Sequence, residues 1–373
     1  MNRLVELLQY GQSYWLDNLT RGKIDSGELK KRVTEQGLRG ITSNPSIFYK
    51  AFTEGDEYDQ AIRELVGKGK SVPEIYEILT VRDVQDACDI LRLVYDESGG
   101  TDGFVSLEVS PYLARDTEGT MAEARRLYAA VDRPNCYIKI PGTKEGIPAI
   151  EQMLYEGINI NVTLLFSIGR YAEVARAYIR AVQRRIDEGK DVGKTVSVAS
   201  FFLSRIDVLT DHLLSQYEIS GQKQSPDPRA LKGKAGVASA RLAYQQFKAL
   251  FHSGEWEQPR SKGAHVQRVL WASTSNKDPE GSDVRYVNTL IGPDTVNTLP
   301  DETIDAFADH GELKKDTIEA GLSEAKAVFP GLKAFDIDID FVTQQLEYEG
   351  IDKFAEAFDK LTKALEKKVA QFK

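Results

Sequence analysis

Two periods alternate along this chain. Short runs with every second residue apolar are separated by longer stretches with apolar residues three and four apart, the marks of strands and amphipathic helices. A helical N-terminal segment leads to a strand at residues 13–17, then to a helix over about 26–36. Residues 40–45 read as a brief strand stopped by Asn44-Pro45, and about 54–98 as helix in two or more pieces, with Ser71-Val72-Pro73-Glu74 as a capping box. In 103–110, Val105, Leu107 and Val109 form one face and Ser106, Glu108 and Ser110 the other. A helix from Thr120 to Val131 leads to a strand at 135–143, in which Cys136, Ile138 and Ile140 oppose Tyr137 and Lys139. A helix over 145–157 precedes 158–166, where Ile158, Ile160, Val162 and Leu164 oppose Asn159, Asn161 and Thr163. A long helix at 170–188 precedes a strand at 195–202, where the pattern does not orient Ser200. A loop or insertion at about 216–230 and a helix at 233–253 lead to a strand at 269–275, and 286–291 read as the last strand. The remainder, about 301–373, reads as a helical extension in which Phe354, Phe358, Leu361 and Leu365 form a core-facing stripe.

Strand and helix thus alternate about eight times, which predicts a parallel sheet closed as a (β/α)8 TIM barrel, class α/β. A barrel of this kind takes about 250 residues, so 373 residues imply additional helices at both termini. No linker or composition break separates a second domain, so the expectation is one barrel domain over 1–373.

Charge and composition narrow the function. A net charge of -9 argues against a general nucleic-acid or anionic-membrane binder and leaves room for a local basic pocket. No apolar run approaches membrane-spanning length, and the N-terminus is amphipathic, unlike a signal segment. Cys88 and Cys136 are the only cysteines, which suits a reducing cytoplasm. His212, His252, His265 and His310 lack ligand-like spacing, so no metal is expected. The stretch 189–195, Gly-Lys-Asp-Val-Gly-Lys-Thr, imitates a phosphate loop but follows a helix and opens a strand, the reverse of what such a loop needs.

Lys139 is the unusual residue, because lysine is depleted in strands and seldom enclosed. On its own it is either an edge-strand cation in water or an amine whose enclosure favours the neutral, nucleophilic form. Its company decides. In a barrel the chemistry sits at the C-terminal strand ends. Those ends carry Asp17, Asn44, Glu108, Lys139, Asn161 with Thr163, Ser200 with Arg205, and Ser273. One amine beside two carboxylates permits separate acid and base roles, and an arginine fork matches phosphate.

The motifs Gly-Ile-Thr-Ser-Asn-Pro-Ser (40–46), Ser-Leu-Glu-Val (106–109), Ile-Lys-Ile-Pro-Gly-Thr (138–143), Gly-Ile-Asn-Ile-Asn-Val-Thr-Leu-Leu-Phe-Ser (157–167) and Ala-Ser-Phe-Phe-Leu-Ser-Arg-Ile-Asp (199–207) carry a resemblance. From about Tyr14 to Pro300 the chain resembles the transaldolase family. The resemblance implies transfer of a dihydroxyacetone unit between phosphorylated ketoses and aldoses in the pentose phosphate pathway. The donor would be sedoheptulose 7-phosphate or fructose 6-phosphate, and the acceptor glyceraldehyde 3-phosphate or erythrose 4-phosphate. Lys139 would form a Schiff base, Asp17 would take the C4-hydroxyl proton, and Glu108 and Thr163 would hold a proton-shuttling water. Asn44 and Asn161 would bind substrate hydroxyls, Ser200 the C1 hydroxyl, and Arg205 the phosphate. A protonated imine is itself the electron sink, so neither cofactor nor metal is required. The family's C-terminal helix near the barrel mouth implies a role for 351–373 in substrate access.

One departure stands out. Where many members carry a second phosphate-binding arginine after the seventh strand, this chain has Ser275, so that either Lys277 or a hydroxyl such as that of Ser273 serves instead, or phosphate binding is weaker. A related aldolase that releases free dihydroxyacetone is the nearest alternative. That type is shorter and has glutamine at the position of Glu108 and tyrosine at that of Phe202, so both positions here favour transfer. A non-catalytic sugar-phosphate-binding barrel is the alternative of another class. The quaternary state is left open between monomer and homodimer.

Overall fold

The computed structural model of the chain describes residues 2–219 and 227–372. Its strands are β1 (Gln12–Leu16), β2 (Gly40–Ile41), β3 (Phe104–Glu108), β4 (Cys136–Pro141), β5 (Ile160–Leu165), β6 (Ser197–Phe202), β7 (Arg268–Ala272) and β8 (Thr295–Leu299). They pair in chain order, all parallel, and β8 closes on β1. The expected (β/α)8 barrel is what the chain forms. Nearly every strand residue is buried, because helices cover the outside and side chains fill the inside. Inside, Phe104 stacks on Tyr137 at 4.1 Å between centroids, and Trp15 lies 6.1 Å from Tyr137. Gly40 makes this possible, since a Cβ there would come within 2.4 Å of the Trp15 indole.

Register sets the strand ends level. Glu108 pairs with Lys139, Lys139 with Asn161, and Pro141 with Thr163. The alternation expected for β5 holds as far as Thr163 and then breaks. The register shifts between Val162 and Leu165, and Leu164 takes a φ of 58°, a bulge that bends the strand end.

The last strand is a correction. Residues 286–291, expected to be extended, instead contain the short helix Arg285–Asn288, and the true final strand is Thr295–Leu299. Tyr286, Val287, Leu290 and Ile291 are all buried, a spacing that one helical face satisfies as well as a strand does. Other bounds shift less. The helix expected from Thr120 begins at Thr117, because Asp116 caps it through the Gly119 amide. The helical stretch after β2 starts at Pro45, with Asn44 as N-cap and proline in the first turn. Of the expected insertion at 216–230, the helix Ser204–Ile219 takes the first part, Pro228–Ala230 is a 3-10 turn, and 220–226 lie outside the described residues.

The extension ends in a 33-residue helix, Ile339–Gln371, which packs along the helices Pro45–Glu54 and Val72–Glu97 and reaches the turn Pro111–Leu113. Its expected core stripe is divided: Leu361 and Leu365 are fully buried, whereas Phe354 sits at the barrel mouth. Among the described residues, no helix is long and apolar enough to cross a membrane.

Candidate active site

At the C-terminal strand ends lies a cavity of about 240 Å³. Asp17, Asn44, Lys139, Thr163, Ser200, Arg205 and Ser273 all line it, so the structure gathers seven of the ten residues singled out in the sequence. Glu108 lines an adjoining cavity of about 10 Å³, shared with Lys139, Thr163 and Phe354, a volume close to that of one water.

Lys139 enters from β4 and is 5% exposed. Its Nζ lies 2.6 Å from Glu108 Oε1 and donates to the Ser43 carbonyl at 3.1 Å, with the Phe354 ring centre 6.0 Å away. Burial pushes the Glu108 carboxyl above the usual carboxylate range, opposed by the lysine cation. Asp17 follows β1. Its Oδ1 accepts from Thr42 Oγ1 at 2.7 Å, and Thr42, with its proton so committed, accepts from Thr298 Oγ1 at 2.7 Å. Burial raises the Asp17 carboxyl too, the Lys139 charge and the Thr42 hydrogen bond pull it down, and the Glu302 charge adds a further upward push.

Three polar atoms here have no hydrogen-bond partner among the described residues: Thr163 Oγ1, Arg205 Nη1 and Glu108 Oε1, the last held by the Lys139 charge. Buried polar groups are nearly always bonded, so such atoms point to a ligand or water. Burial disfavours the Arg205 cation, and the Glu349 charge supports it. The Arg205 guanidinium lies 5.4 Å from the Phe202 ring centre.

Ser200, which the pattern left unoriented, faces inward: its Oγ donates to Asn161 Oδ1 at 2.7 Å, and Asn161 Nδ2 donates to Ser106 Oγ at 3.0 Å. Asn161 is wholly buried and does not line the cavity, so it stands behind Ser200. Asn44 spends its Oδ1 on the Ile47 amide as helix cap. Ser273 adopts a φ of 56°, which brings its hydroxyl to that of Ser204 at 2.7 Å.

Lys277 is a correction. It lines a different surface cleft, alongside Asp207 and Arg285, and bonds to Ser275 Oγ at 2.9 Å. The loop after β7 turns outward at Ser273 and carries it away from the mouth. Four polar cavity residues escape the strand-end reading of the sequence: Thr42, Ser46, Thr298 and Lys353. Thr42 and Ser46 lie inside the motif 40–46 and could have been found there; Thr298 lies on the strand assigned elsewhere.

Comparison with known proteins gives a consistent picture. The Transaldolase/Fructose-6-phosphate aldolase family model matches residues 14–365. "Transaldolase" of Trichodesmium erythraeum is 49% identical over 372 residues, covering 99% of this chain and 98% of that protein. "Transaldolase 2" of a Nostoc species is 50% identical over 374 residues, with 99% and 98% covered. "Transaldolase" of Frankia alni is 45% identical over 360 residues, with 96% and 95% covered.

Proposed function

We propose a residue-level mechanism from one premise: the chain belongs to the transaldolase/fructose-6-phosphate aldolase family. Its activity is that of a transaldolase, a transferase acting on sugar phosphates through a lysine Schiff base. In our reading that base forms on Lys139. Glu108, 2.6 Å from Nζ, takes the ammonium proton and frees the amine to attack the ketose carbonyl. The carbinolamine loses water with Glu108 as acid, the proton passing through the water-sized cavity under the Thr163 hydroxyl. The resulting protonated imine draws electrons as Asp17 removes the C4-hydroxyl proton. The C3–C4 bond breaks, an aldose phosphate leaves, and the dihydroxyacetone enamine stays on Lys139. An acceptor aldose phosphate then adds by the reverse sequence, its new hydroxyl taking the proton from Asp17.

Ser200, held by Asn161, receives the C1 hydroxyl, Asn44 a further hydroxyl, and Arg205 the phosphate, with Ser273 beside it. The observation that supports this reading most is the pair of carboxyls around one enclosed amine, both raised by burial, one touching Nζ and the other across the cavity. We assign sedoheptulose 7-phosphate or fructose 6-phosphate as donor, and glyceraldehyde 3-phosphate or erythrose 4-phosphate as acceptor. Two buried free cysteines suit a cytoplasmic enzyme. We further propose one barrel domain over 1–373 and a monomer or homodimer, which light scattering separates.

Borohydride reduction with fructose 6-phosphate, followed by peptide mapping, tests the mechanism. A reduced three-carbon adduct on Lys139 is expected; an adduct on another lysine, such as Lys144, or none, overturns it. Rapid dihydroxyacetone release without an acceptor would assign the aldolase branch of the family instead.

A further inference from the structure

The phosphate end of the cavity is short of one cation. Its lining holds Lys139, Arg205 and Lys353; Lys139 is committed to the carbonyl, Lys277 lies elsewhere, and Arg205 alone faces a dianion. Lys353 is on the helix Ile339–Gln371, one residue before Phe354, whose ring lies over Lys139. Lys353 Nζ donates to Glu349 Oε2 at 2.9 Å, and Gln345 Nε2 donates to Glu349 Oε1 at 2.8 Å. The Lys353 and Gln345 hydrogen bonds hold the Glu349 carboxyl below the usual carboxylate range, and the Glu349 charge supports the Arg205 cation.

We propose that Lys353 is the second phosphate-binding cation, and that Glu349 occupies it until substrate phosphate arrives. This rests on the Schiff-base reading above and adds to it the part that Ser275 leaves unfilled. A spacing of four residues on a helix surface is also how ordinary exposed ion pairs arise, as with Arg82–Asp86 and Arg92–Asp96. The Glu349–Lys353 pair differs in place. Its lysine lines the reaction cavity, and its carboxylate stands near a guanidinium whose Nη1 has no partner among the described residues. Side-chain exposures of 38% for Glu349 and 56% for Lys353 keep the pair weak, so a dianion competes for Lys353 on favourable terms. The phosphate gains two cations and meets one residual carboxylate. Glu349 therefore lowers phosphate affinity while keeping the cation pair from standing uncompensated.

The test is inhibition by inorganic phosphate against fructose 6-phosphate, in Lys353→Met and Glu349→Gln. Losing one charge-assisted contact should raise both the phosphate inhibition constant and the fructose 6-phosphate KM about tenfold in Lys353→Met, the change falling in KM more than in kcat. Glu349→Gln should move both in the opposite direction. Borohydride trapping of unphosphorylated dihydroxyacetone is run on the same proteins. An adduct on Lys139 in Lys353→Met, with phosphate inhibition unchanged, overturns this inference alone. Weaker phosphate binding in Glu349→Gln overturns it as well, since Glu349 would then be a ligand support. Absence of the adduct in the unsubstituted protein overturns the Schiff-base reading, and this inference with it.

Discussion

The barrel interior is polar at both ends, and the two ends differ in what their charged groups face. At the base, Asp102 accepts from Trp15 Nε1 at 2.9 Å and from the Ser13 hydroxyl, and faces Arg268 Nη1 at 3.5 Å. Arg268 Nη2 in turn donates to Ser13 Oγ and to the Thr295 carbonyl, each at 2.7 Å. At the mouth, Thr163 Oγ1 and Arg205 Nη1 have no partner among the described residues, and both carboxyls are displaced upward by burial. Volume does not tell the ends apart: a cleft of about 560 Å³ opens at the base, lined by Ser13, Asp102, Tyr137 and Arg268, against about 240 Å³ at the mouth. Unmet bonding does not tell them apart either, since Arg39 Nε and Trp256 Nε1, which line the base cleft, also lack a partner among the described residues. What marks the mouth as the reacting end is an enclosed amine between two carboxyls raised by burial. A buried pair of opposite charges holds the barrel closed, whereas an amine between two carboxyls can move protons.

The strongest way to break this comparison is Asp17→Asn. Removing the base should lower kcat by about 10²–10⁴-fold. The same change should raise stability at neutral pH, and the sign follows from linkage. Asp17 has a folded-state pKa above its unfolded value near 3.9, so its contribution is fully present below about pH 4 and is lost as pH rises through the folded value. Asparagine escapes that loss. Urea midpoints for both proteins at pH 4 and pH 7 check it: the gain should appear at pH 7 and shrink at pH 4. A destabilised Asp17→Asn at pH 7 would mean that Lys139 and Thr42 more than offset the burial of the Asp17 carboxylate.

Arg268→Met probes the other end. It leaves Asp102 buried without its cation and should cost about 3–5 kcal/mol, the range for breaking one partner of a buried pair. The folded fraction should still form the Lys139 adduct, because Arg268 lies at the opposite end of the strands from Lys139. Loss of trapping with stability retained would reverse the roles assigned to the two ends.

The sequence made the mouth legible because its side chains sit on strands with a clear two-residue period. Ser106 and Glu108 on β3, and Tyr137 and Lys139 on β4, declare their face by alternation alone. On β6 both faces are buried and each mixes small residues with a phenylalanine, so only the closed barrel shows that Ser200 and Phe202 point inward. The final strand was misplaced because Tyr286–Ile291 fits helical and extended periods alike, and Thr298 was hidden with it. Lys353 and Phe354 fall in the segment 351–373 that the resemblance places near the mouth, but the chain's own pattern does not single them out. They come from a helix far along the chain, and no local pattern says which part of a long amphipathic helix crosses a barrel mouth. Lys277 erred the opposite way: it is near Ser273 in sequence, but the positive φ at Ser273 turns the chain away.

The finest test of the comparison concerns how far the mouth's electrostatics extend. Glu302 is exposed, in the first turn of the helix Asp301–His310, and lines a second cleft that also reaches Asp17. Its negative charge adds to the upward push on the Asp17 carboxyl, whereas Lys139 and the Thr42 hydrogen bond oppose that push. Replacing Glu302 by glutamine removes the like charge, so Asp17 ionises at lower pH and the acid limb of the kcat profile moves down. The rate on that limb should rise by less than about threefold, and the gain should fade at 1 M salt, where screening shortens to about 3 Å. The plateau at higher pH should not change, since Asp17 is ionised there in both proteins. A limb that stays fixed would show that Thr42, Lys139 and burial alone set the Asp17 carboxyl. Movement to higher pH would contradict the like-charge assignment, because no loss of a neighbouring anion makes a carboxylate harder to form.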